Sequence, residues 1–449
     1  MDRLFNRVGS LFLGLLCAAS VCVDSRAVAR SNAAKQPVTT TAGSLTVTAD
    51  FGAPVSYPPL TGFLHGLDSW QGVPNSALTP LKPVWWRIAA NDMPLYQRAA
   101  SLSPNVEIVV SDAYGYPMNN WLNNGPPWQN NWQNWQNYVT AQAAMYKGTN
   151  VYWDIWNEPD AVDWNVTTFW SGTQAQYFET YKRAYTILRQ QLGSTAMIGG
   201  PSYANYVPND IAAFLKYCND NKLQVNFLSW HELMDADPDI PSIATHIAAM
   251  RSLAAQYPNL KVQKIIINES VGPDTQYEPG DILAYLYYLQ TAGADGANKA
   301  CWNASDGSNN CFNASVDGII APGSFQPRAA WWAYKTYSDG VGSAVKITLQ
   351  GPGVVAFASK KPAQVLLGHF GQSGSLTVNP TVYLEHLTAL GVNGKTVQVT
   401  ITKVPNNGEQ TVSAPTPVSV QQVPVVNGTA AVYVPNVKLH EEYILSIGS

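Results

Sequence analysis

The sequence predicts an α/β fold, a (β/α)8 barrel of the TIM type, followed by an all-β sandwich. Two observations predict it, and a third agrees with it independently. Eight apolar, β-branched or aromatic runs alternate with helical stretches along the first 340 residues. Strands alternating with helices imply a parallel sheet, and eight repeats over such a length suggest a barrel. Past Tyr337-Ser-Asp-Gly-Val-Gly342 the helices stop, and short alternating or apolar segments stand between Gly, Pro and Asn breaks. That is the pattern of a sandwich of about a hundred residues. Finally, Val151-Tyr-Trp-Asp-Ile-Trp-Asn-Glu-Pro-Asp160 and Lys264-Ile-Ile-Ile-Asn-Glu-Ser270 both carry an Asn-Glu pair at the end of an apolar run. Carboxylates are poor strand formers and costly to bury, so two of them at strand tips need a chemical reason.

In chain order, residues 1–29 read as a secretory leader: an arginine-containing start, the apolar Leu11 to Ala19, and the small-x-small Ala27-Val28-Ala29. The apolar stretch is too short to span a membrane as a helix, and the expected location is secreted or periplasmic. Residues 30–43, rich in Ala, Thr, Ser and Gln, are expected to be a disordered lead-in. Residues 44–52 contain a strand placed with the sandwich, which would then draw on both chain ends. The barrel is assigned to 53–340 and the sandwich to 341–449.

The barrel strands are expected in Gly62–Gly66, Val84–Ile88, Val106–Ser111, Val151–Trp156, Ala196–Gly200, Val225–Trp230, Lys264–Asn268 and Ala297–Trp302. Helices are expected in Ala175–Leu192, Asp210–Asn221, Ile243–Tyr257 and Ile282–Ala292. On this reading Glu158 ends the fourth barrel strand and Glu269 the seventh, on the face where barrel active sites form. In the sandwich, Val345–Leu349, Val354–Ala358, Val365–His369, Val397–Thr402 and Ala430–Val434 are the clearest strands.

Composition narrows the partner. Charged residues are 12% and the net charge is −4, with no basic stripe of the kind that binds nucleic acid. A surface rich in Asn, Gln, Ser, Thr and Trp suits a neutral, hydroxyl-rich partner. The oligomeric state is not legible. Cys301 and Cys311 bracket a polar loop and are expected to form a disulfide in a secreted chain, with Cys218 a buried free thiol. Asn165, Asn303, Asn313 and Asn427 begin glycosylation sequons, relevant only in a eukaryotic secretory pathway.

No metal or cofactor is expected. Asp235-Ala-Asp-Pro-Asp239 starts like a calcium loop, but Ile240 stands where that loop needs Gly and His246 where it needs Glu. The zincin, phosphate-loop and dinucleotide motifs are absent.

Trp156-Asn157-Glu158-Pro159 at barrel strand four and a Glu at the end of strand seven resemble the clan A retaining glycoside hydrolases. A barrel followed by a β-sandwich, with Phe227-Leu-Ser-Trp-His231 at strand six, is most similar to glycoside hydrolase family 39. The resemblance implies Glu158 as general acid/base and Glu269 as nucleophile. A retaining mechanism needs one carboxyl protonated and the other ionised, and close approach of the two favours that division.

It further implies that Asn157 donates to a substrate 2-hydroxyl and that Arg87 holds Glu269 ionised; an arginine snorkelling at the barrel rim is the alternative. His231 is a candidate for a sugar hydroxyl or for Glu269, against an ordinary structural histidine. Trp302, expected to end strand eight, either floors the sugar site or packs in the core, and His65 at the end of strand one is a fainter candidate. Many clan members place a Tyr against the nucleophile after strand six. This chain has His231 or Glu232 in that neighbourhood.

Between strands three and four, Trp121 and Trp128 are candidates for a sugar-stacking wall. Trp132 and Trp135, in the i, i+4, i+7 series with Trp128, are expected to pack a helix on the barrel.

Overall fold

The computed structural model describes residues 45–114, 126–160, 169–234 and 239–448. The leader, the lead-in, Trp121, the Asn165 sequon and most of the Asp235 stretch lie outside them. Eight parallel strands close into a barrel: β2 (Gly62–Phe63), β3 (Trp85–Ala89), β4 (Asn105–Val109), β5 (Val151–Asp154), β6 (Met197–Tyr203), β7 (Phe227–Glu232), β8 (Lys264–Ser270) and β9 (Gly296–Lys299). Each overlaps one of the eight apolar runs. Closure brings β2 against β9 so tightly that a Cβ at Gly62 would lie 2.0 Å from the Ala297 carbonyl oxygen, so only glycine fits.

The helices wrapping the barrel are α1 (Met93–Leu102), α2 (Val110–Tyr114), α3 (Gln133–Met145), α4 (Gln174–Leu192), α5 (Pro208–Asp220), α6 (Ser242–Ala255), α7 (Pro279–Thr291) and α8 (Ala329–Gly340). Local sequence starts them. Asp92 accepts from the Leu95 N–H to cap α1, and Thr173 with Gln176 forms a full capping box on α4. Pro208 and Pro279 stand at the first helical positions of α5 and α7, where the missing N–H costs nothing. The buried residues of α4, including Tyr177, Tyr181, Ala184 and Leu188, form the stripe that faces the strands.

The remaining strands are β1 (Thr46–Pro54), β10 (Val345–Gln350), β11 (Val354–Lys360), β12 (Ala363–His369), β13 (Thr377–Val378), β14 (Thr381–Glu385), β15 (Thr396–Val404), β16 (Thr416–Pro424), β17 (Ala430–Tyr433), β18 (Val437–Lys438) and β19 (Glu442–Ile447). Two sheets, ordered β10-β1-β14-β17 and β11-β12-β19-β15-β16, enclose a second core. β1 pairs antiparallel with β10 and parallel with β14, so the start of the described chain lies in the sandwich. Its alternation puts Val47, Ala49 and Phe51 inside.

The two layers meet along α7, α8 and the second sheet. Leu366, Phe370 and Ile444 of the sandwich side belong to the barrel's own core cluster. Among the described residues no helix is long and apolar enough to cross a membrane.

Candidate active site

The carboxyl ends of the barrel strands surround a buried arginine. Arg87 of β3 is 3% exposed, which removes the rim-snorkelling alternative. One guanidinium nitrogen donates to Glu269 Oε1 at 2.7 Å. The other donates to Asp154 Oδ2 at 2.6 Å and to Asn157 Oδ1 at 2.8 Å. Glu107 Oε1 lies 3.5 Å from Nε. Asn268, the residue before Glu269, places its amide nitrogen 2.9 Å from Glu107, 3.2 Å from Asp154 and 2.8 Å from the Ser202 hydroxyl. Ser202 in turn donates to Asp154 at 2.7 Å.

The planar fork of arginine suits this work, since it can hold several acceptors in fixed directions. The surrounding acids keep its proton bound even more firmly than usual, against the cost of burial.

Glu158 does not end a strand. β5 stops at Asp154, and the chain runs on irregularly until Glu158, whose φ of 45° lies in the left-handed region. Such a backbone is costly for a residue with a Cβ, and it is held here by a 2.9 Å bond from the Glu158 N–H to the Ser202 carbonyl. The effect is to turn the carboxyl toward β7 and β8. Glu269 lies within β8. Val271, two residues on, also has a positive φ, 76°, rare for a β-branched residue.

The two carboxyls meet around His231. A carboxylate oxygen of Glu158, a ring nitrogen of His231 and a carboxylate oxygen of Glu269 all lie within 4.8 Å of one another. His231 Nδ1 is 2.8 Å from Glu158 Oε1, and Nε2 is 3.8 Å from Glu269 Oε1. The partner of His231 is thus Glu158 before Glu269. Glu232 turns away, accepting from the Trp230 indole at 2.6 Å and pairing with His246 at 3.0 Å.

The environments of the two glutamates differ. Burial pushes the Glu158 carboxyl up to about 7, opposed only by the Arg87 charge. Burial raises Glu269 as well, but His231 and the directly bonded Arg87 pull it back. Burial likewise pushes Glu107 up to about 8 and Asp112 up to about 7.

The other predicted residues are placed as follows. The Asn157 carbonyl is held by Arg87 and its backbone N–H by Ser111 at 3.0 Å, which leaves the side-chain N–H groups as donors to the site. Trp302 does not end a strand, because β9 stops at Lys299. It stands on the following loop, half-buried, and its indole donates to the Val271 carbonyl at 2.9 Å, beside the end of the Glu269 strand. The Cys301–Cys311 disulfide spans the same loop, and Cys218 is free and buried.

His65 lies beyond β2, half-buried with its ring 5.3 Å from Phe312. Burial and the Arg87 charge push its imidazole down to about 4. Trp128 packs on Trp170 at 5.2 Å and covers Gly172, where a Cβ would collide with its ring. Trp135 is buried against Tyr114 and Trp156, while Trp132 sits ahead of α3 with φ 69° under the Arg183 guanidinium. Trp135 thus packs its helix on the barrel as expected, whereas Trp132 does not lie on that helix, which starts only at Gln133. Sequence reasoning missed Glu107, Asp154 and Ser202. The first two carried a signal: each is a lone acid inside an apolar run.

Residues 99–278 match the family model described as Glycosyl hydrolases family 39. A β-xylosidase of Caldicellulosiruptor saccharolyticus is 31% identical over 81 residues, 18% of this chain and 15% of that protein. The chain therefore matches only a small part of that relative's length. In fold it is similar to N2152 from Neocallimastix frontalis, with TM-score 0.69, 20% identity and coverage of 91% of this chain and 100% of that one. It is similar also to the family 39 enzyme of Xanthomonas axonopodis pv. citri, with TM-score 0.59, 15% identity and coverage of 92% and 99%. Over residues 99–278 the chain thus resembles glycoside hydrolase family 39 in sequence, and over nearly its whole described length it shares the fold of that family's Xanthomonas enzyme.

Proposed function

We propose that the protein is a secreted retaining glycoside hydrolase that cleaves a plant or microbial polysaccharide or oligosaccharide by double displacement, either β-xylosidase-like or endo-acting. The observation that carries this reading is the close pair of unlike carboxyls, with an oxygen of Glu158 and one of Glu269 within 4.8 Å. Retaining enzymes hold their carboxyls about 5–5.5 Å apart, whereas inversion needs ~6.5–9.5 Å to admit a water.

Glu158 gives its proton to the leaving oxygen as Glu269 attacks the anomeric carbon, forming a glycosyl ester. Glu158, now ionised, takes a proton from the water that attacks the same carbon, and Glu269 leaves as the carboxylate. Arg87 keeps Glu269 ionised and aimed. Asn157, its carbonyl fixed by Arg87, presents N–H groups to the 2-hydroxyl, a contact that strengthens toward the transition state.

A neutral sugar fits best. Lys299, the other cation considered for a uronic acid, donates instead to the Asp317 carbonyl at 2.6 Å and the Ala300 carbonyl at 3.2 Å. The 81-residue likeness to a β-xylosidase supports a pentose-containing substrate. Secretion is supported by the leader-like first 29 residues and by the disulfide, a bond that persists in oxidising compartments.

Proton NMR on a fresh digest of a glycan panel tests the reading. The first-formed sugar is expected to keep the anomeric configuration of the bond cleaved, and added methanol should give methyl glycosides. An inverted first product removes Glu269 from the nucleophile role. No turnover of any glycan leaves a carbohydrate-binding barrel as the better description, and transfer exceeding hydrolysis makes it a transglycosidase.

A further inference from the structure

We propose that His231, held as the neutral Nε2–H tautomer, is the positioning residue that decides which of the two glutamates carries the proton before catalysis. The proposal rests on the reading of Glu158 and Glu269 as acid and nucleophile. Two glutamates facing one another are chemically identical, and something in the site must make them unequal. Arg87 does part of this by bonding Glu269. An imidazole does more, because its two nitrogens differ: in the neutral ring one donates and the other accepts.

His231 is fully buried, and the groups that bear on it are Glu158 and Asp154 from the β5 segment, Glu269 from β8 and Arg87 from β3. Its Nδ1 contacts Glu158 Oε1 at 2.8 Å, while its Nε2 has no hydrogen-bond partner and faces Glu269 Oε1 at 3.8 Å.

Consider the two tautomers with Glu269 ionised. If the proton is on Nδ1, the bare Nε2 lone pair points at the Glu269 carboxylate, an uncompensated repulsion in a buried site. If the proton is on Nε2, that N–H points at the carboxylate and attracts it. Nδ1 is then an acceptor, and Glu158 can reach it at 2.8 Å only by bringing a proton. The Nε2–H ring therefore favours Glu158 protonated and Glu269 ionised, and opposes the reverse arrangement at both nitrogens. No proton leaves the ring during the reaction. When Glu158 has given its proton away, the bare Nδ1 beside it favours taking one back from water, as the second step requires.

Nitrogen-15 NMR on histidine-labelled resting protein reads the tautomer directly, with the His231 signals assigned by their absence in His231→Gln. The expected result is Nε2–H across neutral pH. A ring protonated at Nδ1, or at both nitrogens, overturns the proposal. A second readout is the pH profile of kcat/KM on an aryl glycoside. Removing the ring in His231→Ala takes away the acceptor that keeps Glu158 protonated and the donor that keeps Glu269 ionised. The upper limb should move down and the lower limb up, each by as much as about one pH unit, the tenfold change that an ordinary hydrogen bond supplies.

His231→Gln, which can still accept from one atom and donate from the other, should restore part of the width. A lower profile with unmoved limbs in His231→Ala would mean that the ring only fills space. If no glycoside is turned over, the functional reading fails, yet the tautomer in the resting protein still decides this proposal.

Discussion

The two interiors of this molecule are built on different terms. The sandwich core is almost wholly apolar, from Val47 and Phe51 on one sheet to Val399 and Leu445 on the other, with buried His369 lying 3.1 Å from the Val437 carbonyl beside it. The barrel, at the carboxyl ends of its strands, buries Arg87, Glu107, Asp154, Asn268, His231 and Glu232 at 3% exposure or less. Ion pairs this deep add little stability over a well-packed apolar filling of the same volume, and breaking one is costly. The sandwich is thus explained by folding alone, and the barrel mouth is not. On the proposed function, its charge layer is the mount for two carboxyls that must stay close and unlike.

The largest expected effect breaks the chemistry and leaves the fold. Glu269→Gln should lower turnover by several orders of magnitude with thermal unfolding nearly unchanged, because Arg87 still has Asp154 to hold. Glu158→Gln should lose less on aryl glycosides with good leaving groups, which need little protonation. Retention of more than about a tenth of turnover in Glu269→Gln would end its assignment as nucleophile.

Arg87→Met strikes the mount itself. It leaves Asp154, Glu107 and Glu269 without their cation, and stability by urea titration should fall by about 3–5 kcal/mol. Turnover should fall as well. If the variant were as stable as the parent, the buried layer would not depend on its arginine, and the contrast between the two interiors would lose its physical basis. Leu445→Ala gives the matching test on the other side. Leu445 is fully buried in the sandwich, and its truncation should cost about 2–5 kcal/mol by transfer and cavity terms. Turnover per folded molecule should be unchanged. A drop in turnover there would show that the sandwich takes part in the chemistry.

What the sequence disclosed follows the same division. All eight barrel strands were legible because apolar runs and helical stretches alternate, and each run needs no partner to be recognised. The glutamates were legible because a carboxyl at the tip of such a run is chemically out of place. The contacts were not. Which way Glu158 faces depends on its positive φ and on the Ser202 carbonyl, and residues 154–158 read locally as a plain continuation of strand. The preference of His231 for Glu158 depends on the barrel bringing separate strands together. The sequence misplaces Trp302 and Trp132 for the same reason: aromatic spacing shows amphipathicity, while strand and helix ends are set by tertiary closure. In the sandwich, β16 carries a weak sequence signal, because its exposed edge holds Pro417 and Pro424 and buries mainly Val423.

The smallest expected effect lies where the two interiors join. His440, on the sandwich side, bonds Asp281 at 2.6 Å and Glu278 at 3.0 Å, both at the start of α7. The backbone is close there too: the Gly280 N–H donates to the His440 carbonyl, and a Cβ at Gly280 would lie 2.4 Å from the His369 carbonyl oxygen. Burial alone would lower the His440 imidazole, but the hydrogen bonds and charges of Asp281 and Glu278 overcome it and raise it to about 10. A raised folded-state pKa stabilises the protein fully below the unfolded value near ~6.5 and ceases to do so as pH climbs through the folded one. His440→Gln should therefore cost roughly 1–3 kcal/mol at pH 6, the range for hydrogen bonds to charged groups, and progressively less toward pH 10. Paired thermal melts of parent and variant at the two pH values measure the convergence. A gap that stayed constant with pH would assign His440 to shape, and a gap that widened would mean the ring is neutral in the folded protein.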